Sequence, residues 1–252
     1  MGIFGGGKKN KRSPFIINDN QKTLHKNLEF TAREQYKLLR TNLSFTLPEG
    51  EKCPIIGITS STRGEGKSTT SVNLSYVLSE SGKKVLLIDA DLRIPSIARK
   101  MRMEKSPGLT DLLKTDSTLK LSEFDFQHWN NWYIMPSGDL PPNPSELLSS
   151  SKTGKLLEEL RECFDYIIVD LPPVNLVSDA LAISKYITGI ILVIREDFTE
   201  KQELENCVRQ LELSNVKMLG CLINESKGGK GYYSKYKKKY KYYSSYAANS
   251  SN

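Results

Sequence analysis

Histidine is nearly absent from this chain of 252 residues: His25 and His128 are the only two. Mechanisms that turn on a histidine base have little to work with. Cysteine is scarce as well. Cys53, Cys163, Cys207 and Cys221 stand singly, with no C-x-x-C pair, which points to reduced thiols in the cytosol and away from zinc or iron–sulfur ligation. No apolar run approaches the roughly 20 residues that cross a bilayer. Met1-Gly2-Ile3-Phe4-Gly5-Gly6-Gly7 lacks the apolar core of a secretory leader, and Gly2 is a poor myristoylation site because position 6 is glycine. The expectation is a cytoplasmic protein that does not itself span the membrane.

Acidic residues are missing from both ends. Residues 1–14 hold Lys8, Lys9, Lys11 and Arg12, and residues 226–252 hold seven lysines, with no acid in either stretch. Taking these eleven from the 36 basic residues leaves 25 against 29 acidic ones, so a chain of net charge +7 has a body near −4. A basic overall charge that sits at the ends does not by itself mean a nucleic-acid-binding domain, and no nucleic-acid partner is expected. The 38% hydrophobic and 26% charged content is ordinary, and the length suffices for one α/β domain with a substantial core. Three regions follow: a flexible basic segment over 1–27, one folded domain over 28–225, and a tail over 226–252 with no aliphatic core face. Seven of the twelve tyrosines crowd into fifteen residues of that tail, at Tyr232, Tyr233, Tyr236, Tyr240, Tyr242, Tyr243 and Tyr246. Such a composition predicts disorder.

What is present centres on Ser60-Ser61-Thr62-Arg63-Gly64-Glu65-Gly66-Lys67-Ser68-Thr69-Thr70. An apolar strand pattern, Pro54 to Thr59, precedes it, and helical spacing of Val72, Tyr76 and Leu78 follows. Strand, glycine-bearing loop and Gly-Lys-Ser opening a helix is the context in which a phosphate-binding loop is meaningful. Free N–H groups and the dipole at a helix start favour an anion. Gly64 and Gly66 permit close backbone approach to phosphate, with Glu65 and Thr69 in the same cradle. Lys67 adds a point charge, and the Ser68 hydroxyl can ligate Mg²⁺. The pattern departs from the usual one at Ser61, where the first glycine is expected.

Further strands are predicted at 85–88, 132–135, 166–170, 189–194 and 218–224. Helices are predicted over 31–47, 109–113, from Ser145, around Leu156–Leu160 and over 199–213, with 93–130 otherwise mixed and loop-rich. Short apolar strands alternating with amphipathic helices mean a mostly parallel sheet with helices on both faces. Ligands of such sheets bind beyond the strands' carboxyl ends, where the phosphate loop, Asp89, Asp91 and Asp170 all fall. Phosphoryl transfer needs held phosphates, Mg²⁺ and a carboxylate to order the ion or the nucleophile. Asp170 suits the metal, and Asp89 and Asp91 can divide proton acceptance and metal binding. On the first helix, Glu34, Lys37 and Arg40 recur every three residues, which by spacing alone reads as a solvated face with intrahelical ion pairs.

Ser60–Thr69, Val85-Leu86-Leu87-Ile88-Asp89-Ala90-Asp91-Leu92-Arg93 and Tyr166-Ile167-Ile168-Val169-Asp170-Leu171-Pro172-Pro173 resemble the Walker A, A′ and B motifs of the bacterial tyrosine kinases. The Gly138–Leu147 loop and the tyrosine cluster resemble theirs too, so the likeness covers about residues 30–246. The resemblance implies a P-loop NTPase-like fold of the deviant-Walker class and ATP with Mg²⁺ as cofactors. It implies autophosphorylation of the tail tyrosines, mainly on a neighbouring subunit. Asp89 would be the base, Lys67 and Asp91 would complete the catalytic set, and Ser68, Asp91 and Asp170 would hold the metal. It implies a homo-oligomeric ring, with an octamer as a candidate size, in which Glu34, Lys37 and Arg40 form the interface. Lys37 stands where the family has arginine and lacks the bidentate fork. The soluble, Gram-positive type of member works with a membrane adaptor of the polysaccharide co-polymerase type at the inner face of the membrane. A cognate tyrosine phosphatase and a role in capsular or exopolysaccharide synthesis go with it.

Two other readings remain at this stage. Deviant-Walker ATPase switches that position division sites or partition DNA resemble this chain in fold and Asp-rich motifs. They usually carry a second lysine early in the loop, where Thr62 stands here, and they have no use for a tyrosine-rich tail. A module gripping RNA or DNA through its Lys and Tyr side chains is the other.

Overall fold

The computed structural model describes residues 28–114, 121 and 124–226. The expected N-terminal segment and the tail with all seven clustered tyrosines lie outside the described residues. Helix α1 (Phe30–Thr46) precedes β1 (Ile55–Ser60), α2 (Lys67–Ser79), β2 (Val85–Asp89), α3 (Ile97–Met101) and α4 (Leu109–Leu113). Then come β3 (Gln127–Trp129), β4 (Trp132–Met135), α5 (Pro144–Ser149), α6 (Ser151–Arg161) and β5 (Tyr166–Asp170). The chain closes with α7 (Asp179–Ala182), a 3₁₀ turn, β6 (Gly189–Arg195), α8 (Lys201–Leu213) and β7 (Met218–Asn224).

The seven strands form one sheet in the order β3-β4-β2-β5-β1-β6-β7. Every pairing is parallel except the β3–β4 hairpin at one edge. The uniformly apolar strands are the consequence of burial on both faces. Ile56, Ile58, Leu87, Ile168 and Ile191 point to one layer, which α1 and α2 cover. Ile55, Leu86, Ile88, Ile167, Val169 and Ile190 point to the other, which Leu148, Leu156, Leu160 and Leu211 of α5, α6 and α8 help fill.

Helix α2 is not amphipathic because it is enclosed between the sheet and α1. Small hydroxyl residues make that possible: Ser75 hides its polarity by bonding the Val72 carbonyl and accepting from Trp132 Nε1 at 2.9 Å. The expected α1 face meets this layer, with Leu43 buried and Tyr36, Leu39 and Leu47 packed beside it. The stretch 93–130, read as mostly loop, contains α3 and the edge strand β3, both too short for periodicity to reveal.

Candidate active site

Register is what assembles the site. Asp89 pairs directly with Asp170 across β2 and β5, and Ile58 of β1 pairs with Asp170 on its other side. The ends of three adjacent strands therefore bring the phosphate loop and both aspartates to one sheet edge. Gly64 (φ 86°) and Gly66 (φ 97°) take the left-handed backbone that the curl into α2 requires.

Ser61, which breaks the usual loop pattern, does not occupy the left-handed region. Its buried hydroxyl donates to Glu65 Oε1 at 2.7 Å, and the Thr62 N–H donates to Glu65 Oε2 at 3.0 Å. Thr199 donates to the same carboxylate from the far side of the loop. The Glu65 side chain is fully buried, so it braces the loop from inside and leaves only its backbone for a phosphate. The serine thus contributes a hydrogen bond that glycine could not.

Lys67 lies among the carboxylates. Its Nζ is 2.9 Å from Asp91 Oδ2 and 3.6 Å from Asp170 Oδ2. Burial works against its charge, but Asp170 and Asp91 outweigh burial and hold the ammonium above its ordinary range. Asp170 is fully buried; Oδ1 accepts from Ser71 Oγ at 2.9 Å and Oδ2 accepts no hydrogen bond. Burial raises its carboxyl despite Lys67. Asp89 is also fully buried, and its oxygens accept the N–H groups of Ser96, Ile97 and Asp91 at 3.0, 2.9 and 3.3 Å. Its carboxyl is pushed up to about 8, first by burial and then by Asp170.

Three buried carboxyl groups share one ammonium, burial disfavours their charge, and Asp170 Oδ2 accepts no hydrogen bond. A divalent cation fits that deficit. Among the described residues no three His, Cys, Asp or Glu side chains form a ready-made metal cage. An ion here would rest on the Ser68 hydroxyl, one or two carboxylates and substrate oxygens, the coordination Mg²⁺ usually takes.

Several contributors were not read from the sequence. Asn224, ending β7, donates to the Glu65 carbonyl at 3.0 Å and covers Gly66 so closely that a Cβ there would lie 2.0 Å from its Nδ2. Lys100 Nζ on α3 lies 3.4 Å from Thr69 Oγ1, bringing a second ammonium to the loop helix. Such long-range partners leave no local pattern; only β7 and α3 folding against the loop bring them there. The proposed interface residues are partly engaged within the chain. Lys37 pairs with Glu34 at 2.7 Å, as spacing suggested, while Arg40 Nη1 donates to the Val77 carbonyl at 2.9 Å and fastens α1 to α2.

A family model described as an AAA domain matches residues 53–224. Tyrosine-protein kinase YwqD of Bacillus subtilis (strain 168) is 36% identical over 225 residues, which cover 87% of this chain and 88% of that one. The chain belongs to the bacterial tyrosine kinases. Among solved structures, the chimerical protein CapA2B2 superposes on this kinase with a TM-score of 0.75 at 28% identity, covering 84% of this chain and 92% of the other. The kinase domain of the Escherichia coli tyrosine kinase ETK also gives 0.75, at 29% identity over 90% and 88%. The parallel P-loop architecture of this kinase is therefore the family's own. No described helix is long and apolar enough to cross a membrane.

Proposed function

We propose that this kinase transfers the γ-phosphoryl group of ATP to the clustered tyrosines at 232–246, mainly on a neighbouring copy within an oligomer. The observation that carries this is Lys67 at the head of the loop helix, 2.9 Å from Asp91 and 3.6 Å from Asp170, with Asp89 paired beside Asp170. Arriving phosphates compete with the carboxylates for Lys67, and the loop N–H groups around Gly64–Thr69 orient them. Ser68, Asp91 and Asp170 would hold Mg²⁺, which would supply neutralisation of the charge that develops during transfer. Asp89, when ionised, accepts the proton of the phenol as the oxygen–phosphorus bond forms and the bond to ADP breaks. A tyrosine hydroxyl titrates near 10, so a carboxyl raised to about 8 is far better matched to it than an ordinary aspartate. In the ligand-free chain Asp89 also holds the start of α3 through the Ser96 and Ile97 N–H groups.

The same reading extends to partners. A ring built partly through Glu34, Lys37 and Arg40, a membrane adaptor that brings the kinase to the inner membrane face, and a tyrosine phosphatase that resets the tail fit a switch controlling capsular or exopolysaccharide synthesis. Unphosphorylated, the lysine-rich tail is attracted to an acidic body. Each phosphate adds about −1.5 to −2, so several of them make the tail anionic, turn attraction into repulsion and loosen the oligomer.

The test incubates the full chain with ATP and Mg²⁺, with and without the adaptor's cytoplasmic peptide, and reads phosphotyrosine by immunoblot. Lys67→Met, and replacement of the seven tail tyrosines by phenylalanine, are each expected to abolish the signal. Mixing the two variants should restore label on the Lys67→Met chain. Label that never crosses between chains refutes the intermolecular step. ATP hydrolysis without phosphotyrosine supports an ATPase switch instead.

A further inference from the structure

Three large apolar side chains stand exposed on the loops at the carboxyl edge of the sheet, and the first of them, Ile94, donates its N–H to Asp91 Oδ1 at 3.0 Å. Ile94 is 47% exposed, Leu140 54% and Leu176 48%. They sit on the loops leaving β2, β4 and β5, which are neighbours in the sheet. β2 and β5 carry Asp89 and Asp170 at their carboxyl ends, and β4 lies beside β2. Exposure of one such residue on a loop is commonplace; one on each of three adjacent loops at the reacting edge is not.

The loops are fastened to one another. Arg93, next to Ile94, makes a fork to the fully buried Asp179, with Nε to Oδ2 at 2.9 Å and Nη2 to Oδ1 at 3.0 Å. Its Nη2 also lies 3.4 Å from Ser145 Oγ at the start of α5. Ser145 donates to Asp179 as well and lies 3.2 Å from Ser178 Oγ. One planar guanidinium thus binds all three loops, within five residues of each exposed apolar side chain. The loop after β4 is held from its other side, where the N–H groups of Leu109 and Thr110 bond the carbonyls of Pro136 and Ser137 at 2.8 and 2.9 Å. Thr110 Oγ1 bonds the Asp139 carbonyl at 2.7 Å. These contacts make the three loops a preorganised surface.

We propose that Ile94, Leu140 and Leu176 form an apolar platform that seats the phenol ring of the acceptor tyrosine, presented by the 232–246 segment of another copy of this chain. The inference deepens the functional reading above and rests on it. A tyrosine is amphipathic: its ring can lie on aliphatic side chains while its hydroxyl reaches past them to the carboxylates. Serine and threonine have no ring to place there, so the platform selects tyrosine. Charge favours the same occupant. Residues 136–146 carry Asp139 and Glu146 and no basic residue, whereas residues 227–241 carry seven lysines and no acid. Asp139 has Lys105 at 3.2 Å yet stays 58% exposed at its side chain, open to a second cation. Arg93 is the positioning residue that holds the platform together.

The experiment uses the full-length kinase and a synthetic peptide of residues 228–246 as acceptor, with ATP saturating. Replacing Ile94, Leu140 and Leu176 together by serine is expected to raise the peptide KM about tenfold, at the low end of what lost apolar contacts cost an enzyme. The rate at saturating peptide and the KM for ATP should change less than twofold. Arg93→Ala should raise the peptide KM as well, with partial recovery in Arg93→Lys. Leu213→Ser, which removes an apolar side chain 81% exposed at the end of α8, serves as the control and should leave all values unchanged. If the triple variant does not fold, Leu140→Ser and Leu176→Ser are read singly for about threefold increases. An unchanged peptide KM, or a fall in rate with KM unchanged, overturns the platform while the kinase reading stands. Loss of adaptor stimulation with peptide KM intact assigns the surface to the adaptor and overturns it too. A wild-type chain that hydrolyses ATP but never labels the peptide overturns the functional reading itself.

Discussion

Asp89 links the electrostatics of the site to a measurement that needs no substrate. Burial, and then Asp170, push its carboxyl from an ordinary 3.8 to about 8 in the ligand-free fold. The folded chain keeps that proton through a pH range in which the unfolded chain has lost it. The unfolded state then binds fewer protons, so stability falls as pH rises from about 4 to about 8 and levels off above. A full proton corresponds to about 1.4 kcal/mol per pH unit, or about 4 kcal/mol lost between pH 5 and pH 8. Asp170, raised for the same reason, adds to the fall. Lys67 has the opposite charge and a raised pKa, so its contribution is fully present below the ordinary lysine range and is lost only above it. Asp111, lowered by Lys114 and the Gly108 N–H against an opposing burial effect, contributes stability that is lost only as pH falls into the acid range. Neither disturbs the window. For a chain of this size, 4 kcal/mol lowers the melting midpoint by about 8–16 °C. The assay is thermal and urea unfolding of the nucleotide-free, Mg²⁺-free chain at half-unit steps from pH 5 to 8, beside Asp89→Asn. The variant, neutral at every pH, should lose at least half of the slope, and excess Mg²⁺ at pH 8 should raise the wild-type midpoint. A midpoint that stays flat or climbs from pH 5 to 8 refutes the reasoning, as does an equal fall in Asp89→Asn.

Glu65→Ala strands the donors of Ser61, Thr62 and Thr199 inside the phosphate loop and should cost about 2–3 kcal/mol in urea unfolding, with weaker ATP binding by calorimetry. Glu65→Gln, which keeps one acceptor, should recover part of both. Lys100→Ala removes the second ammonium beside Thr69 and should weaken ATP binding several-fold, with the salt dependence of binding reduced; equal affinity would show that Lys100 does not reach the phosphates. Gly57→Ala would place a Cβ 2.8 Å from Leu171 Cδ1 and 2.9 Å from Ile187 Cδ1, so overpacking under β1 should destabilise the fold by about 1–3 kcal/mol, read as an earlier urea midpoint.

Sequence alone determined the elements whose signal is local. The continuous apolar strands had to be buried on both sides, the glycine–lysine–serine run had to open a helix toward an anion, and Asp89, Asp91 and Asp170 had to end their strands. Those facts place the chemistry at one sheet edge before any coordinates are known, because parallel strands share a carboxyl end. Strand order and register decided the rest. They alone set Asp170 between Ile58 and Asp89, turned Glu65 inward to a serine where glycine is usual, brought Asn224 from the last strand onto Gly66, and tied three loops through Arg93 and Asp179. Each of those pairings joins residues that no short-range pattern relates, and each exists only because burying the apolar strands leaves their polar ends one place to meet.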